Sequence, residues 1–495
     1  MMVDLFDFDK QQARLLRRNQ PNDYITPTLP PLERLRAAET SLPDETLSDY
    51  LSGSSQKSVL EHVTKDIVPA LSGQALSSRY YGFVTGGTLP IAEWADNVVS
   101  RLDQNVQVHL PGQTISTTVE DSALRMLISL LRLGNAEDWT GRTFTTGATA
   151  SNILGLACGR EAVLANKLQE ASVGDLGLLA ACFQAGVKDI QLLTSAGHSS
   201  LSKAASVVGL GRASVKSLRR SRDEPWRLDL DALEESLQQT GTLSIIVLSA
   251  GEVNTGRYSV SGIEEMKRVR ELADRFGSWI HVDGAFGIFA RAMGSEREYD
   301  LIKSRIEGVE LADSITVDGH KILNVPYDCG MFFTKSASTL HSVFVNLNAA
   351  YLASTSGAKI PSPLNIGLEN SRRFRALPVY AVLLSEGRPG FATLLSNMVQ
   401  LSRRVAQFIQ ESEHYELLPD ADASLEEIFM IVLFRAKNKT INETLVDMIN
   451  RSRQIYVSGT VWKGTKAVRI AVSHWKVDVS KDFEVITSVL NGVIN

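Results

Sequence analysis

From residue 142 to residue 335 the chain alternates short apolar runs with helical stretches. That order restricts it to an α/β architecture with a mainly parallel sheet. Arg142–Thr146 reads as a strand, and Gly147-Ala148-Thr149-Ala150-Ser151-Asn152 leads from it into a helix. Asp189–Ser195 reads as a second strand, followed by Ala196-Gly197-His198-Ser199-Ser200. Asp229–Thr240 reads as a helix, and the apolar run Leu243–Ser249 as a buried parallel strand. Ser261 and Glu264 have capping-box spacing, Gly277 closes the helix they open, and Trp279–Asp283 is the next strand. Asp328–Thr334 is expected as a further strand, antiparallel and at the end of the sheet.

Two strand ends carry chemistry. Trp279-Ile280-His281-Val282 stops at Asp283, and the β-type run in Ser314–Lys321, SITVDGHK, stops at Asp318, Gly319, His320 and Lys321. In open parallel sheets ligands bind beyond the carboxyl ends of the strands, so an acid and a lysine at two such ends can share one ligand. Pyridoxal phosphate chemistry needs that pair. A lysine amine forms a Schiff base with the cofactor aldehyde. A carboxylate keeps the pyridine nitrogen protonated and makes the ring an electron sink. His198 stands beyond a third strand end, where an imidazole either caps a helix at the surface or stacks on a flat ring. The small residues of Gly147–Asn152 either let a helix pack tightly on the sheet or let a phosphate approach the helix N-terminus.

With 495 residues, two or more structural units are expected. Hydrophobic residues at 44% and charged residues at 22% are those of a soluble globular protein, and the net charge of −5 gives no nucleic acid or anionic membrane a basic surface. Cys158, Cys182 and Cys329 are far apart and lack metal-ligand spacing, so no metal is expected and a reducing compartment fits. The N-terminal stretch is charged from Asp4 onward, and the longest apolar run, Leu243–Leu248, is too short to span a bilayer. A cytoplasmic location is the expectation.

The chain divides into an arm at 1–85, a large α/β domain at 86–370 and a small α+β domain at 371–495. The arm is punctuated by prolines, with short helices expected at Leu32–Ala38 and Asp44–Tyr50. Helices are expected at Ile91–Leu102 and Thr118–Leu133, the second opened by Thr117 and Glu120 at capping-box spacing. Arg372, Arg373 and Arg375 open a helical region reaching Ser412, followed by strands at Ile428–Phe434 and Val468–Val472 and a helix near Phe483–Leu490.

In SITVDGHK and HVDGA the chain resembles the group II amino-acid decarboxylases of the fold-type-I pyridoxal-phosphate enzymes, which act on aromatic amino acids, glutamate or histidine. The similarity extends from RYYGFVTGG near residue 80 to GTVWKGTKAVRIAVSHW near residue 475. The resemblance implies a mainly parallel sheet sandwiched by helices, a small C-terminal domain, and a homodimer with the site at its interface. It implies that Lys321 carries the cofactor and Asp283 pairs with its ring nitrogen. His198 would stack on the ring and Ala285 line the other face. Ala148 and Thr149 would contact phosphate, with Asp318 and His320 beside it. Tyr351, in AAYLAS, stands where the family places the tyrosine that returns a proton to carbon, and Arg373, in SRRFRAL, matches an arginine near the substrate. Tyr81, with Tyr80 and Phe83, suits an aromatic substrate, or is plain packing. Gly284 and Ile322 depart from the alanine and tryptophan common in the family.

The function so implied is decarboxylation of an L-amino acid through an external aldimine formed by displacing Lys321. The same cofactor also serves aldehyde synthesis, C–C bond formation or cleavage, and transamination. A catalytically silent binding protein is the alternative of another class, and retention of both Lys321 and Asp283 argues against it. A nucleotide-binding Rossmann enzyme ranks last, since no GxGxxG run opens a helix after the first strand.

Overall fold

The computed structural model describes residues 28–46, 48, 50–168, 171–347 and 359–494. Seven strands build the main sheet: β1 (Gly141–Thr145), β2 (Asp189–Thr194), β3 (Val215–Ser217), β4 (Thr242–Ser249), β5 (Trp279–Asp283), β6 (Ser314–Asp318) and β7 (Gly330–Thr334). Their order is β1-β7-β6-β5-β4-β2-β3. The run from β3 to β6 is parallel, and β7 pairs antiparallel with both β6 and β1. The fold is that of the fold-type-I enzymes, as the sequence predicted. One detail differs: β7 lies inside the sheet, and β1 forms the edge. Burial explains the exchange, for all five residues of β7 are buried, whereas β1 carries Arg142, which ion-pairs with Asp121 beside the edge.

The helix Ala148–Leu168 runs beneath the middle of the sheet, with more than half of its residues buried, and packs on β4, β5, β6 and β7. Its N-terminus therefore lies at the carboxyl ends of those strands. Gly330 and Gly147 meet there so closely that a Cβ on Gly330 would stand 2.5 Å from the Gly147 Cα, so this crossing admits no side chain at residue 330.

Neither expected capping box forms. The helix Ser116–Leu130 begins earlier than expected, which places Thr117 and Glu120 inside its first turns. The Thr117 hydroxyl pairs with His109 Nδ1 at 2.8 Å, and the buried Glu120 pairs with Arg372 at 2.6 Å. At the helix Ile263–Phe276 the cap is Gly262, so Ser261 stands outside and its N–H donates to Glu265 at 2.7 Å, while Glu264 reaches Lys267. The expected helix at Asp44–Tyr50 is replaced by turns among its described residues. Asp44 Oδ1 accepts the Thr46 N–H and hydroxyl at 2.9 and 2.7 Å, a local bond that competes with helix.

The small C-terminal sheet is antiparallel: β8 (Tyr415–Leu418), β9 (Ile431–Ala436), β10 (Ser458–Trp462) and β11 (Thr465–Ala471), in the order β10-β11-β9-β8. The helix Ala376–Glu411, broken at Gly387, joins the two units. It packs on Pro90–Leu102 and Ser116–Leu130 on one side and on Val479–Ile494 and β8 on the other. The segment before residue 90 is stitched to the C-terminal sheet. Tyr81 N–H donates to Tyr456 O (2.8 Å), Ala471 N–H to Tyr81 O (3.0 Å), and Phe83 N–H to Ser458 Oγ (2.9 Å). Among the described residues no helix is long and apolar enough to cross a membrane, and no cluster of side chains has the makings of a metal site.

Candidate active site

A cavity of about 690 Å³ opens at the carboxyl ends of β4, β5 and β6. Strand geometry places its acid: His281 and Asp283 are two apart on β5, so both face the helix Ala148–Leu168. Asp283 Oδ2 accepts from Asn152 Nδ2 at 2.9 Å, and Oδ1 from the Ala285 N–H at 3.3 Å. β6 ends at Asp318, and a single helical turn carries Lys321 back over it, so that Lys321 Nζ stands 2.9 Å from Asp318 Oδ2. Asp318 Oδ1 accepts the Ala148 N–H at 2.6 Å, which ties the lysine turn to the helix N-terminus.

His198 closes another side. Ser200 donates to its Nδ1 from both the backbone N–H (3.1 Å) and the hydroxyl (2.7 Å), so the ring proton sits on Nε2. Burial lowers the pKa of His198, and that of His320, and keeps both rings neutral near pH 7. His320 Nδ1 accepts the Cys329 N–H, and its ring lies 4.4 Å from that of Tyr327.

The cavity wall thus brings together Lys321, Asp283, His198, Ala148, Thr149, Ala285, Asp318 and His320. Two expected residues stand elsewhere. Tyr81 is fully buried in the core beneath the wall, and Phe83, two residues on and 64% exposed, lines the cavity instead. Arg373 pairs with Asp96 at 2.5 Å and Ser100 at 2.8 Å, outside the lining. Tyr351 lies outside the described residues.

The wall also contains Arg469, from β11, which sequence reasoning passed over. It donates to the carbonyl oxygens of Val253 and Phe83, while Nη2 is buried without a partner among the described residues. Burial lowers its pKa to about 10, still a cation at neutral pH. The signal that could have found it is an arginine alternating with apolar residues in AVRIAV, a charge on a strand that otherwise reads as core.

A lysine amine, an acid and a flat imidazole around one cavity, with a helix N-terminus opening onto it, fit a planar aldehyde bearing an anion. The pyridoxal-dependent decarboxylase conserved domain matches residues 100–437, and the chain belongs to that family. Its cofactor is pyridoxal 5′-phosphate. The chain is 28% identical over 317 residues to an L-2,4-diaminobutyrate decarboxylase of Acinetobacter baumannii, covering 62% of this chain and 58% of that one. It is 27% identical over 387 residues to an aspartate 1-decarboxylase of Aliivibrio fischeri, covering 74% and 66%. The match therefore spans about three fifths to two thirds of those relatives' length. A 4-hydroxyphenylacetaldehyde synthase of Rhodiola rosea has the same fold, with a TM-score of 0.77 at 17% identity, covering 100% of this chain and 98% of that one.

Proposed function

We propose that the protein decarboxylates an L-amino acid. The observation that carries this is the meeting of Lys321 and Asp283 in one cavity with a buried arginine. Pyridoxal phosphate, when bound, supplies the electron sink for the pair left on Cα as CO₂ departs. The chain's own groups do the rest. Lys321 would hold the cofactor through its amine. Asp283, fixed by Asn152 and the Ala285 N–H, would keep a proton on the ring nitrogen. His198 and Ala285, from their places in the wall, would hold the two faces of the ring.

The Ala148 N–H is engaged by Asp318 and the Ser151 N–H by Gly147 O, so the N–H groups of Thr149 and Ala150 are the first-turn donors left for phosphate. Arg469 takes the substrate carboxylate, since it is a cation of the wall with a donor to spare. Tyr351 returns the proton to Cα. The active unit is a homodimer in a reducing cytoplasm, a reading that rests on the family resemblance and on three free cysteines.

The test is a screen of the common L-amino acids for released CO₂, with the organic product identified by mass spectrometry. An amine formed in equal amount to CO₂ supports the proposal. Aldehyde with ammonia, or a keto acid without CO₂, replaces it with another reaction of the same cofactor. A colourless protein that takes up no cofactor ends it. Light scattering in solution tests the dimer.

A further inference from the structure

Asp283 is the end of a hydrogen-bond chain whose direction is set by that carboxylate, which can only accept. Trp279 Nε1–H can only donate, and it donates to Ser314 Oγ at 2.9 Å. The Ser314 hydroxyl proton then goes to His281 Nδ1 at 2.8 Å. His281 carries its own proton on Nε2 and donates to Asn152 Oδ1 at 3.0 Å, with Thr316 Oγ1 at 3.4 Å from the same nitrogen. That leaves the Asn152 amide hydrogens facing away from His281. One goes to Asp283 Oδ2 at 2.9 Å, and a carboxylate can only accept. The other points to Ser200 Oγ at 3.4 Å, and Ser200 holds His198 Nδ1.

Each relay group is buried: Trp279, Ser314, His281, Asn152 and Ser200. At Ser314, His281 and Asn152, which are 0–1% exposed, water has no access to re-satisfy a broken link, so the centre of the chain is held in one sense. The packing is as specific as the bonding. His281 lies against the helix Ala148–Leu168 at Gly155, where a Cβ would stand 2.3 Å from a ring carbon. Burial lowers the His281 pKa to about 4, which keeps the ring neutral and both its nitrogens in these roles.

We propose that Asn152 is a positioning residue. It orients the Asp283 carboxylate toward the cofactor's ring nitrogen, with His281 fixing which way the amide faces, and in return its carbonyl holds His281 as the Nε2–H tautomer. The part concerning the cofactor rests on the proposed function. The tautomer of His281 does not, so the two can fail separately.

The test uses ¹⁵N-histidine-labelled holoenzyme above pH 7, with the His281 resonance assigned by its loss in His281→Gln. Wild type should show an unprotonated Nδ1 and a protonated Nε2. Asn152→Leu removes the acceptor of the Nε2–H, so it should average the two nitrogens and weaken cofactor binding by roughly tenfold or more, the size of effect produced when a group behind a ligand is removed. His281→Gln keeps an N–H for Asn152 and should bind the cofactor near wild type. His281→Leu, of similar bulk, should lose cofactor affinity as Asn152→Leu does. A role in packing alone would make the glutamine and leucine variants alike and would leave the His281 tautomer in Asn152→Leu and the absorption of the bound cofactor unmoved. Either result overturns the proposal. Should Asn152→Leu fail to fold, the cofactor affinities of the His281 pair decide the matter.

Discussion

Lys321 Nζ lies 2.9 Å from Asp318 Oδ2, so the amine is held by an acid of its own helical turn and not by Asp283. Asp318 is 2% exposed and also holds the Ala148 N–H, which makes it a rigid post. The amine thus waits at a defined point of the cavity. In the proposed function the two carboxylates serve the site in different ways: Asp318 aims the lysine, and Asp283 meets the ring.

Replacing Lys321 by alanine is expected to abolish the covalent adduct. Borohydride treatment of the wild-type holoenzyme should fix the cofactor mass on the peptide containing Lys321, and Lys321→Ala should show none. Turnover should fall by orders of magnitude. Intact and peptide mass spectrometry check the first, and CO₂ release the second.

Tyr351→Phe should bind the cofactor as wild type does but divert the product. Without the phenol to return a proton, the carbanion is open to a two-electron oxidation by dissolved O₂, and hydrolysis should then give aldehyde, ammonia and hydrogen peroxide in place of amine. Product ratios by mass spectrometry decide this. Amine at the normal rate would mean that another group delivers the proton.

Arg469→Lys keeps the charge and loses the planar fork. A charge-assisted bond to the substrate carboxylate is worth about 2 kcal/mol, so kcat/KM should fall by roughly tenfold to a hundredfold. Affinity for the product amine, which has no carboxylate, should be unchanged. Equal losses for substrate and amine would instead assign Arg469 to holding Phe83 and Val253 alone.

The fold should lose stability between pH 6.5 and pH 4. Burial lowers the pKa of both His281 and His474 from 6.5 to about 4. The unfolded chain therefore takes up protons in that window while the folded chain does not. Their contribution is fully present above pH 6.5 and is lost as pH falls toward 4, on the order of 3 kcal/mol for each histidine. Thermal midpoints measured across this range should drop with acid, and His474→Gln should make the drop shallower.

What the sequence made legible was local. The run Leu243–Ser249 reads as a buried parallel strand because a continuous apolar stretch carries that information by itself, and β4 spans Thr242–Ser249. Asp283 and Lys321 stand next to the strands that position them, so periodicity alone brings them to one sheet edge. Arg469 was not legible in this way, since its place depends on how β11 packs against a segment before residue 90. Tyr81 and Phe83 show the same limit. Both are aromatics in one short stretch, and only the pairing of Tyr81 with Tyr456 and Ala471 decides which is core and which is wall. The capping boxes failed for a different reason: Glu120 found a stronger, buried partner in Arg372, and at the second helix Gly262 took the cap position and left Ser261 outside.

Arg469 grips the carbonyls of Phe83 and Val253, and so clasps three stretches that are remote from one another in sequence. As the chain leaves the ribosome, the strands bearing Asp283 and Lys321 emerge well before that clasp can close. The mouth of the cavity takes shape only after residue 469 has been made, and a growing polypeptide has no finished receptacle for its coenzyme before then.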